Sequence, residues 1–161
     1  MIELAKEYAI KYHGETGETR SNGLPYHTHC ENTVKLLREF GVKDEKTLCK
    51  GWLHDTLEDT RLTLEEIENV FGKDVAKGVY ILTRNVGRFE YKLRLLNNPD
   101  ELLIKFCDTI DNLQDLSYYT TRGLYKKILD TEEFYIPQAK KICEPAASEM
   151  ELLINNFYAI K

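Results

Sequence analysis

His54-Asp55-Thr56-Leu57-Glu58-Asp59 gathers four groups able to bind a metal or move a proton into six residues. Strong helix-forming sequence precedes the stretch, and side chains four apart on an α-helix share a face. That spacing pairs His54 with Glu58 and Asp55 with Asp59 within about one and a half turns. Carboxylates so close repel one another, and a shared divalent cation relieves the repulsion far better than a solvated helix end does. The plain alternative is an acidic helix terminus with a chance histidine beside it. These residues alone do not separate the two; the rest of the chain does.

Outward from this stretch the pattern is helical. Apolar residues at Ile2, Leu4, Ala5, Tyr8, Ala9 and Tyr12 predict a first helix over residues 2–12, ended by His13-Gly14 with Gly14 as a left-handed cap. A polar loop follows over residues 15–23. Pro25 suits the first turn of a second helix, which carries His29, Val34, Leu36, Leu37 and Phe40 up to Gly41. Asp44 caps a third, running through Leu48, Trp52 and Leu53 into His54-Asp55. Thr63-Leu64-Glu65-Glu66 is a capping box for a fourth helix that stops at Gly72, and a fifth covers residues 74–82.

Residues 83–88 read as a basic, mobile loop, and residues 89–96 as a short helix. Pro99-Asp100 opens a seventh helix with Leu102, Leu103, Phe106, Ile110, Leu113 and Leu116. Another helix begins near Thr121, Pro137 kinks or restarts the chain, and a last helix reaches about Tyr158. No convincing period-two run interrupts this order, so the expected class is all-α, one domain over residues 1–161 with roughly eight to ten helices.

Composition narrows the function classes. With 161 residues and 42% hydrophobic residues the chain can bury a sizeable core. It has neither a long apolar run nor a signal-like N-terminus, which argues against a membrane span and a secretory leader. Cys30, Cys49, Cys107 and Cys143 form no CxxC pair and sit in apolar helical contexts, as reduced core residues of a cytoplasmic protein do. A net charge of −5 argues against nucleic-acid binding but not against a small phosphorylated ligand.

Two groups can complete a metal site with His54 and Asp55: His29 on the second helix and Asp108 on the seventh. His27 is an alternative to His29, but residues two apart on a helix point to different sides. Asp108 lies between apolar Phe106-Cys107 and Ile110, near a buried face where an unpaired carboxylate is costly. A His/His/Asp/Asp set suits Mn²⁺, Fe²⁺ or Zn²⁺ better than calcium. A bound divalent ion acidifies water near neutral pH, and Glu58 and Asp59 are placed to hold or deprotonate that water.

The separated pattern His29 … His54-Asp55 … Asp108 resembles the HD phosphohydrolase superfamily. Glu58-Asp59 and the stretch Arg20-Ser21-Asn22-Gly23-Leu24-Pro25-Tyr26-His27-Thr28-His29 narrow the likeness to the hydrolase domain of the RelA/SpoT family and, by size, to a stand-alone small alarmone hydrolase. The likeness continues in Thr63-Leu64-Glu65-Glu66-Ile67, Phe71-Gly72 and Asp108-Thr109-Ile110-Asp111-Asn112-Leu113. It is weaker from Lys127-Ile128 to Gln138-Ala139.

The resemblance implies an HD-type helical bundle with Mn²⁺ held by His29, His54, Asp55 and Asp108. It implies a guanosine nucleotide substrate, (p)ppGpp, whose 3′-pyrophosphate is removed to leave GDP or GTP. Glu58 and Asp59 match the acidic pair that activates the water. Arg20 matches the arginine packed on the base, Ser21 adjoins it, and Asn112 matches an asparagine that contacts the nucleotide. Arg122, Lys126 or Lys127 can meet the distal phosphates by position.

The chain departs from the family in a longer spacing from His13 to Arg20, which puts Arg20's place at the base in doubt, and at Leu82-Thr83-Arg84-Asn85. It is too short to hold a synthetase domain as well. Two other functions fit the same residues: an HD phosphohydrolase acting on another nucleotide, such as the 2′-phosphate of NADPH, and a catalytically silent nucleotide-binding module. The pattern leaves the oligomeric state open, and Met150, Leu152, Leu153 and Phe157 of the last helix suit either core or a dimer contact.

Overall fold

Capping side chains and glycines set the helix boundaries in the computed structural model, which describes residues 1–159. Helix α1 (Ile2–Thr16) is followed by a loop with an isolated bridge between Thr19 and Pro25, and then by α2 (His27–Glu39). Asp44 accepts from the Thr47 backbone N–H at 2.8 Å and starts α3 (Glu45–Leu53). A single turn, α4 (Thr56–Asp59), follows. The Thr63/Glu66 capping box is formed on both sides and opens α5 (Leu64–Phe71). Then come α6 (Lys73–Leu82), α7 (Arg88–Leu96) and α8 (Pro99–Gln114).

After a 3₁₀ turn at Leu116–Tyr118, α9 (Thr121–Asp130) runs through a π turn, Thr131–Tyr135, directly into α10 (Ile136–Ile142); α11 (Glu144–Ala159) closes the bundle. With the single turn joined to α3, and α9 and α10 counted as one rod, the described residues form nine helical units. The all-α expectation holds.

Three boundaries differ from the pattern reading. Helix α1 passes through Gly14 and ends at Gly17, which takes the left-handed conformation at φ 68°. Thr16 Oγ1 donates to the His13 carbonyl at 2.8 Å and stabilises the extra turn. Pro25 lies before α2 rather than inside its first turn, its carbonyl accepting from the Thr28 N–H at 3.0 Å. Pro137 neither kinks nor restarts the chain. It falls in the first turn of α10, where its missing N–H is tolerated.

Helix α8 is the axis of the bundle. It packs against α2, α3, α6, α7, α10 and α11, so residues on several of its sides are buried: Leu102, Ile104, Phe106, Cys107 and Ile110 are at 0% exposure. Helices α2 and α3 approach closely at Gly51, where an added Cβ would lie 2.8 Å from Leu37 Cδ1 and 3.1 Å from Val34 Cγ2. Cys30, Cys49 and Cys107 are buried, Cys143 is half-buried, and all four are free thiols. Helix α11 packs with Ala146, Ala147, Met150 and Ile154, whereas Leu152 is exposed. Among the described residues no helix is long and apolar enough to cross a membrane.

Candidate active site

Helix α3 runs out at Leu53, and the chain reaches α4 through His54 and Asp55. His54 keeps helical dihedrals, but Asp55 sits at φ −99°, ψ −4°. The helix expected through this stretch is therefore broken at its leading residues. Side chains satisfy the carbonyls at the end of α3: Thr56 Oγ1 donates to Leu53 at 2.7 Å and His54 Nδ1 to Gly51 at 2.8 Å. Neighbours on an unbroken helix point about 100° apart. At the break, His54 Nε2 and Asp55 Oδ2 come to 3.0 Å.

A carbonyl only accepts, so the proton of a neutral His54 ring sits on Nδ1 and its Nε2 lone pair faces the site. His29, on α2, is held in the same way. Its Nδ1 lies 2.6 Å from Asp111 Oδ2, and Asp111 stays ionised because His29 and Arg20 outweigh its burial. The two Nε2 atoms are 3.2 Å apart. His29 Nε2 is 2.9 Å from Asp108 Oδ1 and 3.5 Å from Asp55 Oδ2. One donor atom from each of His29, His54, Asp55 and Asp108 lies within 4.8 Å of all the others.

Two facing lone pairs between two carboxylates call for a positive charge. Burial opposes charge on His54, yet Asp55 and Asp108 push its ring up to about 9. His29 is raised likewise against its burial by Asp108, Asp111 and Asp55. Asp55 and Asp108 are held well below the usual carboxylate range: against burial, His54 and His29 favour the charged Asp55, and Lys105 with both rings favours the charged Asp108. The donor set fits a divalent cation.

A cleft of about 320 Å³ opens above this cluster. Asp55, Glu58, Asp59 and Asp108 line its acidic side; Arg84, Lys105 and Lys127 line the other, with Thr131 and Tyr135 beyond. Glu58 accepts from the Arg84 backbone N–H at 2.9 Å, which ties it to the loop after α6. Burial, with Asp55 and Glu58 next to it, pushes Asp59 up to about 6. Lys105 forms an ion pair with Asp108, which keeps its ammonium charged despite desolvation. Burial pulls Lys127 down to about 8.

A smaller cavity of about 180 Å³ adjoins the cleft and is lined by Arg20, Ser21, His29, Asn112 and Tyr119 among others. Arg20 is 9% exposed, its NH1 lying 2.5 Å from Asp111 Oδ2 and its NH2 2.6 Å from Asp115 Oδ2. The guanidinium is thus gripped along its edge rather than extended on a free side chain. Asn112 Nδ2 donates to Asp108 Oδ1 at 2.6 Å, and its Oδ1 accepts from Tyr119 at 3.1 Å.

The cluster unites His29, His54, Asp55 and Asp108, with Glu58 and Asp59 on the rim; His27 stays outside it. Of the three distal cations, Lys127 faces the cleft, whereas Arg122 and Lys126 are exposed elsewhere. Pattern reading missed Lys105, Arg84, Asp111 and Tyr26. Lys105 and Asp111 stand three residues either side of Asp108, a helical spacing that was available as a signal. Tyr26, three before His29, donates to Asp55 Oδ2 at 2.8 Å. Its ring centroid lies 4.7 Å from that of His13, a buried residue whose ring nitrogens meet no hydrogen-bond partner and which burial pulls down to about 4. Nothing in the pattern signalled these two.

A family model described as HD domain matches residues 5–87, a span that holds His29, His54, Asp55, Glu58 and Asp59. Over 152 residues the chain is 36% identical to the guanosine-3′,5′-bis(diphosphate) 3′-pyrophosphohydrolase of Aquifex aeolicus, covering 88% of this chain and 21% of that protein. It is 32% identical over 152 residues to the GTP pyrophosphokinase of Streptomyces coelicolor, covering 88% and 18%. The chain thus spans about a fifth of the length of the curated relatives it matches. A solved metazoan structure, described as an ortholog of SpoT that hydrolyses ppGpp, superposes with a TM-score of 0.82 at 24% identity, over 96% of this chain and 94% of that one, and shares the fold.

Proposed function

The chain belongs to the HD-domain family, and from that premise we propose that it is a Mn²⁺-dependent hydrolase removing the 3′-pyrophosphate of guanosine tetra- or pentaphosphate. Water adds its hydroxyl to the phosphorus on the ribose 3′ oxygen. That P–O bond breaks, and the 3′ oxygen leaves with a proton, giving GDP or GTP and pyrophosphate. His29, His54, Asp55 and Asp108 hold the ion, two nitrogens and two carboxylates suiting Mn²⁺, with Fe²⁺ or Zn²⁺ as substitutes. A divalent ion there supplies charge that polarises a phosphoryl oxygen and acidifies water.

The chain's own groups do the rest. Asp59, with a pKa near 6, takes up a proton near neutral pH. Glu58 is oriented by its bond from the Arg84 N–H and holds water in line. Lys105, Lys127 and Arg84 meet the departing pyrophosphate. The small cavity at Ser21, Asn112 and the Arg20 guanidinium takes the nucleoside side.

The observation that carries this reading is the cleft's two walls. A basic wall of three cations faces the acid pair across the metal cluster, more positive charge than a single phosphate group requires. The names of the relatives and the SpoT-like fold support the same substrate. Purified protein is incubated with guanosine tetraphosphate, with and without Mn²⁺, and with NADPH in parallel, and products are read by anion-exchange chromatography. Mn²⁺-dependent release of GDP and pyrophosphate is expected. No cleavage by metal-loaded protein overturns the assignment, and preferential loss of the NADPH 2′-phosphate moves the substrate there.

A further inference from the structure

Asp111 has no part in the reaction assigned above, yet it is 1% exposed and carries an unusual load. A buried carboxylate without partners is costly, and this one is fully used. Its Oδ2 accepts from His29 Nδ1 at 2.6 Å and meets Arg20 NH1 at 2.5 Å; its Oδ1 accepts from Asn32 Nδ2 at 2.8 Å. The loop over residues 17–26 is folded around the same arginine. Arg20 N–H donates to the Leu24 carbonyl at 2.8 Å, and the Arg20 carbonyl accepts from Gly23 N–H at 2.8 Å. Asp115, which takes the other Arg20 nitrogen, also accepts from Asn22 Nδ2 at 3.1 Å, and Asn22 Oδ1 accepts from Leu24 N–H at 3.0 Å.

We propose that Asp111 is the positioning residue of the metal centre and that, through Arg20, it couples the fold of the 17–26 loop to the seating of His29. A histidine ligand needs its second nitrogen fixed to hold the ring at the right tilt and keep its lone pair basic. Asp111 does this for His29, as the Gly51 carbonyl does for His54. The two anchors differ in kind. Gly51 is part of a helix backbone, whereas the Asp111 carboxylate is shared with an arginine from a loop. A planar ligand in the small cavity lies against that arginine, so whatever shifts Arg20 also shifts the carboxylate that holds His29. By reciprocity, an ion seated on His29 steadies the loop. Arg20 joins the nucleoside side of the site to its metal side.

The inference rests on the cluster being a metal centre and not on the choice of nucleotide, so it is tested without one. Mn²⁺ affinity is measured by calorimetric titration, with Co²⁺ electronic spectra reporting ligand geometry and hydrogen exchange reporting the loop. D111N is expected to bind Mn²⁺ about 10–100-fold more weakly and to change the Co²⁺ spectrum. R20Q, which leaves all four ligands and Asp111 in place, is expected to weaken binding several-fold. In the wild type, Mn²⁺ slows exchange over residues 17–26; in D111N it does not. E101Q, which breaks the buried Lys50–Glu101 pair at 2.7 Å on another part of α8, is the control for general loosening and keeps its Mn²⁺ affinity.

Wild-type affinity in D111N overturns the positioning role, as does an equal loss in E101Q. Unchanged affinity in R20Q together with unchanged loop exchange overturns the coupling, and R20Q decides that point even if D111N fails to fold. Failure of guanosine tetraphosphate cleavage with these metal titrations intact would count against the substrate alone.

Discussion

A side chain's work in this cleft follows from which of its atoms are already taken. His54 has Nδ1 engaged with Gly51 and only Nε2 to give, so H54A removes a direct ligand and abolishes tight Mn²⁺ binding in a calorimetric titration. Glu58 touches none of the four ligands. E58Q therefore keeps its metal while turnover falls by about 10²–10⁴, the range for a lost proton-handling group; wild-type turnover in E58Q would remove Glu58 from the chemistry.

Lys127 gives a pH signature. Burial lowers its pKa to about 8, so its charge is present below that pH and lost as pH rises through it. Substrate KM is expected to climb above about pH 8 in the wild type and to stay flatter in K127R, which remains charged. The sign for folding is opposite. Below about 8 the fold holds a desolvated ammonium; between there and the unfolded value that cost is relieved, so stability gains with rising pH. At this scale the metal ligands were legible because residue type and spacing announce them. Arg84 and Lys105 were not, because a lysine or arginine becomes a phosphate group's neighbour only through what the fold sets opposite it.

Among the elements, capping chemistry was read well. Asp44, the Thr63/Glu66 box and Pro99 each start a helix where the pattern put it. The overrun of α1 to Thr16, the break at His54-Asp55 and the π turn were hidden. Each depends on side chain–backbone bonds or packing that compete with the helical period rather than follow it. Gly51 shows the same dependence on context: in sequence it is a weak point of α3, in the bundle it is where α2 comes closest. With Leu37 at 0% exposure there is little room for adjustment. G51A is expected to lose about 1–3 kcal/mol of stability by overpacking, despite alanine's better helix propensity, read as a lower urea midpoint.

For the molecule as a whole, the metal centre doubles as a clasp. Its ligands come from α2, the α3–α4 break and α8, three parts of the chain that otherwise meet only through apolar packing and the Asp111 network. Ion binding to the folded state alone adds about 2.7 kcal/mol at a hundred times its dissociation constant. For a chain of this length that corresponds to about 5–10 °C in the unfolding midpoint. A chelator is expected to lower the midpoint by that amount, in wild type but not in H54A. The helical class was legible because no period-two run interrupts the chain; the central place of α8 was not, since its buried residues read as one ordinary apolar face until partners on several sides were known.

The π turn between α9 and α10 bears on heredity as well as on shape. It holds one residue more than a regular helix needs, and Thr131 and Tyr135 at its two ends both face the cleft. Loss of a single codon here would leave a smoother helix and turn everything downstream by about 100° against α9. Ala146, Ala147, Met150 and Ile154 would leave their seats on the bundle. In this segment reading-frame-preserving deletions, more than substitutions, are the changes a lineage carrying this gene is least able to keep.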